Sequence, residues 1–313
     1  MSEAAAAPTG VLASVARIVR FTVVMYKPHY LLYGIVWVLA LEATAALVTR
    51  PDTAWTPSGA TLLRIVIVAF VLLYLRMVDE QKDLDYDRVH NPDRPLVTGA
   101  VRAGDLRAAM GVIAVGAVAA SFALSVGSAV MIAVAMAYGL ALWGWESLSH
   151  TVRTNILVSL VVTYPVQLLV TAYVVVSAIG TGQVLTRWPL VAVAVIFAGA
   201  FLQFEFARKT VREPVPGQLF YSNMLGPNGS AGAALGCAAV AVLVDLVLVR
   251  PWDQSGIGAV IAWIPLVLLL FPAWAGWRFH AARRAEHPVV AAVLFILTLY
   301  LTLIAQALVL TRG

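Results

Sequence analysis

Cysteine is nearly absent. Cys237 is the single one in 313 residues and lies within an apolar run, so neither a disulfide framework nor a cysteine-based metal site is available. Charge is scarce as well: Asp, Glu, Lys and Arg make up 12% of the chain, about half the share of an ordinary soluble domain, which excludes a surface solvated all round. A basic start and a cleavage pattern are both missing from residues 1–10, which are small and polar, so no signal peptide is expected. The net charge of +5 makes no case for a nucleic-acid partner, because the basic residues are distributed among the connections between apolar runs. What the chain has in excess is hydrophobic residues, 61% of the total at a mean hydropathy of +0.89, the composition of a polytopic membrane protein.

Apolar runs long enough to cross a bilayer fall at residues 30–48, 61–78, 106–126, 129–145, 155–179, 189–207, 231–249, 257–274 and 289–310. The expectation is an all-α bundle of nine transmembrane helices, one integral membrane domain over residues 1–313. Ahead of the first run, Arg17, Arg20 and Lys27 are interspersed with Val, Ile, Phe and Tyr, which suits an interfacial amphipathic helix within residues 1–29, with Pro28 bending the way into the first span. With the N-terminus in the cytoplasm, sixteen of the 21 Lys and Arg fall on the cytoplasmic side and five (Arg50, Arg64, Arg187, Arg250 and Arg312) outside. That asymmetry describes a multi-pass cell-membrane protein with its N-terminus cytoplasmic and its C-terminus external.

The few charges are concentrated. Asp79-Glu80-Gln81-Lys82-Asp83-Leu84-Asp85-Tyr86-Asp87 follows directly on the second run, with Arg94-Pro95 and Gly99 beyond it. If the helix continues past Val78, Glu80, Asp83 and Asp87 fall at i, i+3 and i+7, and Asp79 and Asp83 at i and i+4, all on one face. Like charges so spaced repel by about 0.2–0.5 kcal/mol per pair in water, a cost that a bound divalent cation reverses. Mg2+ takes one or two carboxylates and fills its other positions with water and phosphate oxygens, so a carboxylate face at a membrane surface suggests a metal that holds a phosphate. A solvated acidic loop is the plainer alternative.

A second constellation, Glu205, Arg208, Lys209, Arg212 and Glu213, closes the sixth run, and four spans of separation bring it to the same membrane face. Glu205, Arg208, Lys209 and Arg212 repeat the i, i+3, i+4, i+7 spacing, so a mostly cationic face can oppose the acidic one. Ordinary positive-inside flanking is the alternative for these residues alone. Mutual pairing of so many ions is a poor route to stability, and a charged cluster at membrane depth points instead to function.

These residues resemble the UbiA superfamily of intramembrane prenyltransferases, which carries Asn-Asp-x-x-Asp-x-x-x-Asp after its second span, a downstream Arg-Pro and Gly, and a second Asp-rich motif after its sixth. The first motif here reads Asp79-Glu80-x-x-Asp83-x-x-x-Asp87, then Arg94-Pro95-Leu96 and Gly99, and Lys27-Pro28 is similar to the family's opening segment. The second motif departs: Glu205 stands where the family has paired aspartates, and Arg208, Lys209 and Arg212 follow. The resemblance implies a Mg2+ cofactor on Asp79, Glu80, Asp83, Asp87 and Glu205, the first four also being the catalytic set. It implies an isoprenyl diphosphate on Lys27, Arg94, Arg208, Lys209, Arg212 and Tyr221, guanidinium and ammonium groups doing on phosphate what a second metal otherwise does. It also implies a lipophilic, aromatic or otherwise nucleophilic acceptor that is prenylated in the bilayer. A membrane terpene cyclase, which needs no acceptor, is the alternative within the superfamily, and the short segment 146–153 accords with it.

Tyr138, Trp143, Glu146 and Tyr164 are candidates for the acceptor or cation pocket, the aromatic rings able to stabilise an allylic cation if they face inward and Glu146 able to serve as acid or base near the acceptor; Trp143 and Trp145 also suit an interfacial belt. Glu42 and Asp245 lie within the first and seventh runs and need Arg50, Arg64 or Arg250, or a proton, to be tolerated there. A transporter built on those two acids is the rival from another class, but the dense clusters lie at one surface rather than mid-membrane. Gly226, Asn228, Gly229 and Gly232 suggest a flexible loop ahead of the seventh span.

Overall fold

The computed structural model describes residues 10–214 and 217–311. The described chain is helical, with a short 3-10 turn at Pro251–Asp253 and an isolated bridge between Val211 and Glu286 as its other regular features. Helix α1 (Val11–Met25) is followed by α2 (Pro28–Thr49), α3 (Gly59–Lys82), α4 (Leu84–His90), α5 (Ala103–Phe122), α6 (Val126–Leu148) and α7 (His150–Thr154). Then come α8 (Ile156–Thr163), α9 (Pro165–Gly180), α10 (Pro189–Arg208), α11 (Ser222–Val249), α12 (Gly256–Leu268), α13 (Leu270–Ala281) and α14 (Val289–Leu310). Among the described residues nine segments are long and apolar enough to cross a membrane: α2, α3, α5, α6, α8 with α9, α10, α11, α12 with α13, and α14. The chain is a multi-pass membrane protein.

Proline shapes the crossings. Pro28 opens α2, as expected from the sequence, after α1 has ended at Met25. The fifth span is two helices that meet at Tyr164, because Pro165 has no amide to continue the ladder. The seventh is interrupted at Gly226, whose φ of 71° only glycine adopts freely, just before Pro227. The expected flexible loop ahead of that span is therefore a helical turn and a kink, with Asn228, Gly229 and Gly232 inside α11.

Helix α2 is the central element, packed against α3, α9, α10 and α14, and its second half from Ala40 to Leu47 is buried without a break. Helices α10 and α11 are in the most extensive contact. A β-carbon on Gly199 would stand 2.7 Å from the Cys237 carbonyl oxygen, so glycine is what lets the two backbones meet. Helix α1 exposes Val11, Leu12, Val15, Val19 and Val23 on one side and ties Arg17 to Asp105 at the start of α5 at 2.6 Å, the arrangement of an interfacial helix held to the bundle.

The two intramembrane acids are both partnered. Glu42 pairs with Arg64 in complete burial, and accepts from Thr61 Oγ1 at 2.7 Å and Trp55 Nε1 at 3.1 Å. Arg64 gives its other donors to Ser177 at 2.5 Å, Thr181 at 2.9 Å and Gln183 at 3.1 Å, so one network joins α2, α3 and α9. Asp245 accepts from Gln306 Nε2 at 3.0 Å, joining α11 to α14. Of the partners the sequence offered Glu42, Arg64 is the one used; Arg50 donates instead to the Gly182 carbonyl and Arg250 to Asp253.

Candidate active site

Helix α3 stops at Lys82, and Asp83 is the joint between α3 and the short α4. The acidic stretch is thus not one continuous helical face. Instead it splits into two groups around two fixed cations. Lys82 Nζ lies 3.2 Å from Glu146 Oε1 on α6, 3.4 Å from Asp79 Oδ1 and 3.9 Å from Asp83 Oδ1. Arg94 pairs with Asp87 and, at 3.7 Å, with Glu80, which also receives Arg76 at 3.2 Å; Asn91 Nδ2 donates to Asp87 Oδ1 at 2.8 Å. Glu80 and Asp87 are buried, whereas the Asp79 and Asp83 side chains remain 50% and 41% exposed, so of these four acids the latter two are open to a ligand; Asp85 points to solvent and pairs with Arg88 at 2.9 Å. Withdrawal from water, which outweighs the pull of Lys82, and the charges of Asp79, Glu146 and Asp87 push the Asp83 carboxyl up to about 6.

The second constellation forms at the end of α10. Glu205 is held by Arg208 at 2.5 Å and Lys209 at 2.9 Å, and accepts from the buried Tyr221 hydroxyl at 3.3 Å. Tyr221 therefore sits behind Glu205 and positions it. Arg212 has left the helix, which ends at Arg208, so the expected four-residue face comprises only Glu205, Arg208 and Lys209. Its guanidinium donates to the Arg284 carbonyl at 3.1 Å and to that of Phe279, and lies over the Phe279 ring at 4.9 Å. It clasps the connection between α13 and α14. Arg212→Lys, lacking the planar fork, is expected to lower stability by about 1–2 kcal/mol in thermal unfolding while leaving pyrophosphate affinity in titration calorimetry unchanged.

The two constellations share one end of the bundle. A β-carbon on Gly217 would touch the His90 imidazole at 3.4 Å, so the segment following the second constellation abuts the helix that carries Asp87. His90 stacks on Tyr86 at 4.3 Å, and residues 90–95 with Val24 and Met25 of α1 line an open cleft of about 290 Å3 beside Arg94. Lys27 is exposed at the joint of α1 and α2.

The pocket candidates are dispersed. Glu146 belongs with Lys82 and the acids. Trp143 lies under Arg107 at 5.7 Å, and Arg107 Nε donates to Gln81 Oε1 at 3.0 Å. Tyr138 donates to the Val162 carbonyl at 2.9 Å, tying α6 to α8. Tyr164, at the break in the fifth span, has a buried hydroxyl with no hydrogen-bond partner and lies 5.9 Å from Phe201. Next to it is an aromatic group the sequence did not single out: Tyr33 and Tyr300 touch through their hydroxyls at 3.3 Å, and Phe197 stacks on Tyr300 at 5.1 Å. Rings spread over the first, sixth and ninth spans have no sequence spacing that would betray their meeting. Lys82 was equally hidden, because a lysine inside an acidic run looks like local compensation and Glu146 is 64 residues away.

Among the described residues no three carboxylate, imidazole or thiol groups converge as a ready-made metal cage. Mg2+ asks for less, since one or two carboxylates suffice when water and phosphate supply the rest. The open pair Asp79 and Asp83 fits that requirement, and nearby Glu80 Oε1 is buried with no hydrogen-bond partner.

No protein-family model matches the chain, and no curated protein matches it by sequence. Solved structures do match. The apo structure of a UbiA homologue from Aeropyrum pernix K1 superposes with a TM-score of 0.61 at 19% identity, over 87% of this chain and 96% of that one. A UbiA homologue from Archaeoglobus fulgidus bound to DMAPP and Mg2+ gives 0.57 at 12% identity, over 94% and 98%. This is the UbiA fold. A digeranylgeranylglyceryl phosphate synthase shares it at 0.57 and 13% identity, over 94% and 99%. With so little identity, the UbiA fold of this chain rests on the path of its helices and not on shared sequence.

Proposed function

We propose that this chain is a Mg2+-dependent intramembrane enzyme that ionises an isoprenyl diphosphate and transfers the prenyl group to a lipophilic acceptor, with its N-terminus and charged end in the cytoplasm. The observation that carries this reading is the gathering of open carboxylates and unspent cations at one end of a UbiA fold. The A. fulgidus relatives bound to DMAPP or GPP together with Mg2+ support the substrate class and the ion.

Asp79 and Asp83 would hold Mg2+, with Glu80 and Asp87 behind them, and the ion would neutralise charge gathering on the departing diphosphate. Glu205 offsets only one of the two charges on Arg208 and Lys209, so this pair carries an excess positive charge toward the same phosphate oxygens. The bond between prenyl carbon one and oxygen breaks, and its electron pair leaves with pyrophosphate. The apolar interior keeps water from the allylic cation until the acceptor attacks carbon one and loses a proton.

A second reading, cyclisation of the same diphosphate by its own double bonds, is favoured by the aromatic group of Tyr33, Tyr164, Phe197, Phe201 and Tyr300. Such rings stabilise a cation by up to about 2 kcal/mol each when desolvated. Purified protein with Mg2+ and a panel of prenyl diphosphates, with and without aromatic acceptors, tests both. Pyrophosphate release only with acceptor is the expected result. Release with a hydrocarbon product and no acceptor identifies a cyclase, and no release under any condition rejects both readings.

A further inference from the structure

The charges around the site do not balance evenly. Around Arg94 and Arg76, two guanidinium groups face two carboxylates, Glu80 and Asp87. Around Glu205, two cations face one acid. Around Lys82, one ammonium faces three acids, Asp79, Asp83 and Glu146, which leaves two negative charges over. Of these groups only this one has a net negative charge, and the excess equals the charge of a single divalent ion.

Lys82 is not a solvated flanking lysine. Its side chain is 14% exposed, and Glu146 reaches it from α6, a different span, so its head group is fixed from outside the acidic motif. It stands between the same two aspartates that are open to a ligand. An ammonium has three donors that turn freely and suits phosphate as a point charge.

Resting on the reading above, we propose that this site takes one Mg2+ per diphosphate, at Asp79 and Asp83, and that Lys82, positioned by Glu146, faces the diphosphate as a further cation besides Arg208 and Lys209. Lys82 gives up its contacts with Asp79 and Asp83 when the ion takes them, keeps Glu146, and turns its remaining donors to phosphate oxygens. Binding is thus an exchange of partners: the carboxylates pass from Lys82 to the metal, and Lys82 passes from carboxylates to phosphate. Neither ligand alone completes the exchange, so each strengthens the binding of the other.

The test uses the full chain in detergent, inorganic pyrophosphate as the probe, and Mn2+ as a countable substitute for Mg2+. Unchanged protein saturated with pyrophosphate is expected to hold one Mn2+ per chain by paramagnetic resonance. Lys82→Met is expected to weaken pyrophosphate binding by about 10–100-fold, the loss of a charged hydrogen bond, in calorimetry. The same variant is expected to bind Mn2+ alone more tightly, since three carboxylates then face no resident cation. A lysine that merely supports the fold would not move the two affinities in opposite directions. Glu146→Gln, which keeps Lys82 but loosens it, should weaken pyrophosphate binding less. Two Mn2+ per chain, or pyrophosphate affinity unchanged in Lys82→Met, overturns the proposal and leaves the enzymatic reading standing. If Lys82→Met does not fold, Glu146→Gln carries the test of Lys82, and pyrophosphate affinity unchanged in that variant overturns the proposal. Failure of the unchanged protein to bind pyrophosphate with any divalent ion overturns the enzymatic reading and the proposal with it.

Discussion

Arg64→Ala is expected to destabilise the folded protein by about 3–5 kcal/mol, the cost of leaving a buried carboxylate without its counter-ion. Glu42 would retain only Thr61 and Trp55 as donors, and Ser177, Thr181 and Gln183 would lose the group that draws α9 toward α2 and α3. Glu42→Ala should cost a similar amount, because it strands the guanidinium instead. A charge-free pair, Glu42→Leu with Arg64→Met, should recover most of the loss, since a buried ion pair replaced by packed apolar groups is often nearly neutral. Denaturation in mixed micelles measures all three. Equal losses in the single and double variants would show that the network, and not the unpaired charge, sets the cost. Diphosphate affinity of the variants that fold should be unchanged, because the network shares no residue with either charged constellation.

The second large effect falls on activity. Asp83→Ala is expected to lower turnover by about 10^2–10^3-fold, the scale on which removal of a single charge-stabilising group acts, with little change in melting temperature because its side chain is 41% exposed. Asp87→Ala should lower turnover at least as far, but by a different route. Asp87 is buried against Arg94 and Asn91, so its loss also frees Arg94 and lowers stability measurably. Comparing turnover with melting temperature for the two variants separates the roles. Full activity in Asp83→Ala would remove the carboxylate from the site.

The nine crossings were legible from apolar runs alone, because a bilayer sets the length of any helix that spans it. The breaks at Tyr164 and Gly226 were less so, since proline within an apolar run is tolerated in membranes wherever neighbours satisfy the freed carbonyls. The acids of the first motif were legible as a set, but their division was not. Whether Asp87 belongs with Asp83 or with Arg94 depends on where α3 ends, and its last residue, Lys82, pairs with Glu146 of α6, a partner 64 residues away. Arg212 shows the opposite error of inference. Its spacing from Glu205 fits one helical face only if the helix persists, and α10 stops a turn too soon. Of the aromatic group only Tyr164 stands out in the sequence; Phe197 and Phe201 share a face of α10, but nothing in the chain ties them to Tyr33, Tyr164 or Tyr300, which the bundle brings to them.

The contact between Tyr33 and Tyr300 joins residues 267 positions apart, and α2 packs along α14. The first of the nine crossings among the described residues thus finds one of its chief neighbours in the ninth. Until the ribosome has delivered α14, the side of α2 meant for it faces lipid or a chaperone, and no product that stops short of α14 can make that contact. Premature stop codons anywhere before α14 should accordingly yield chains that insert but do not mature, and that quality-control proteases remove.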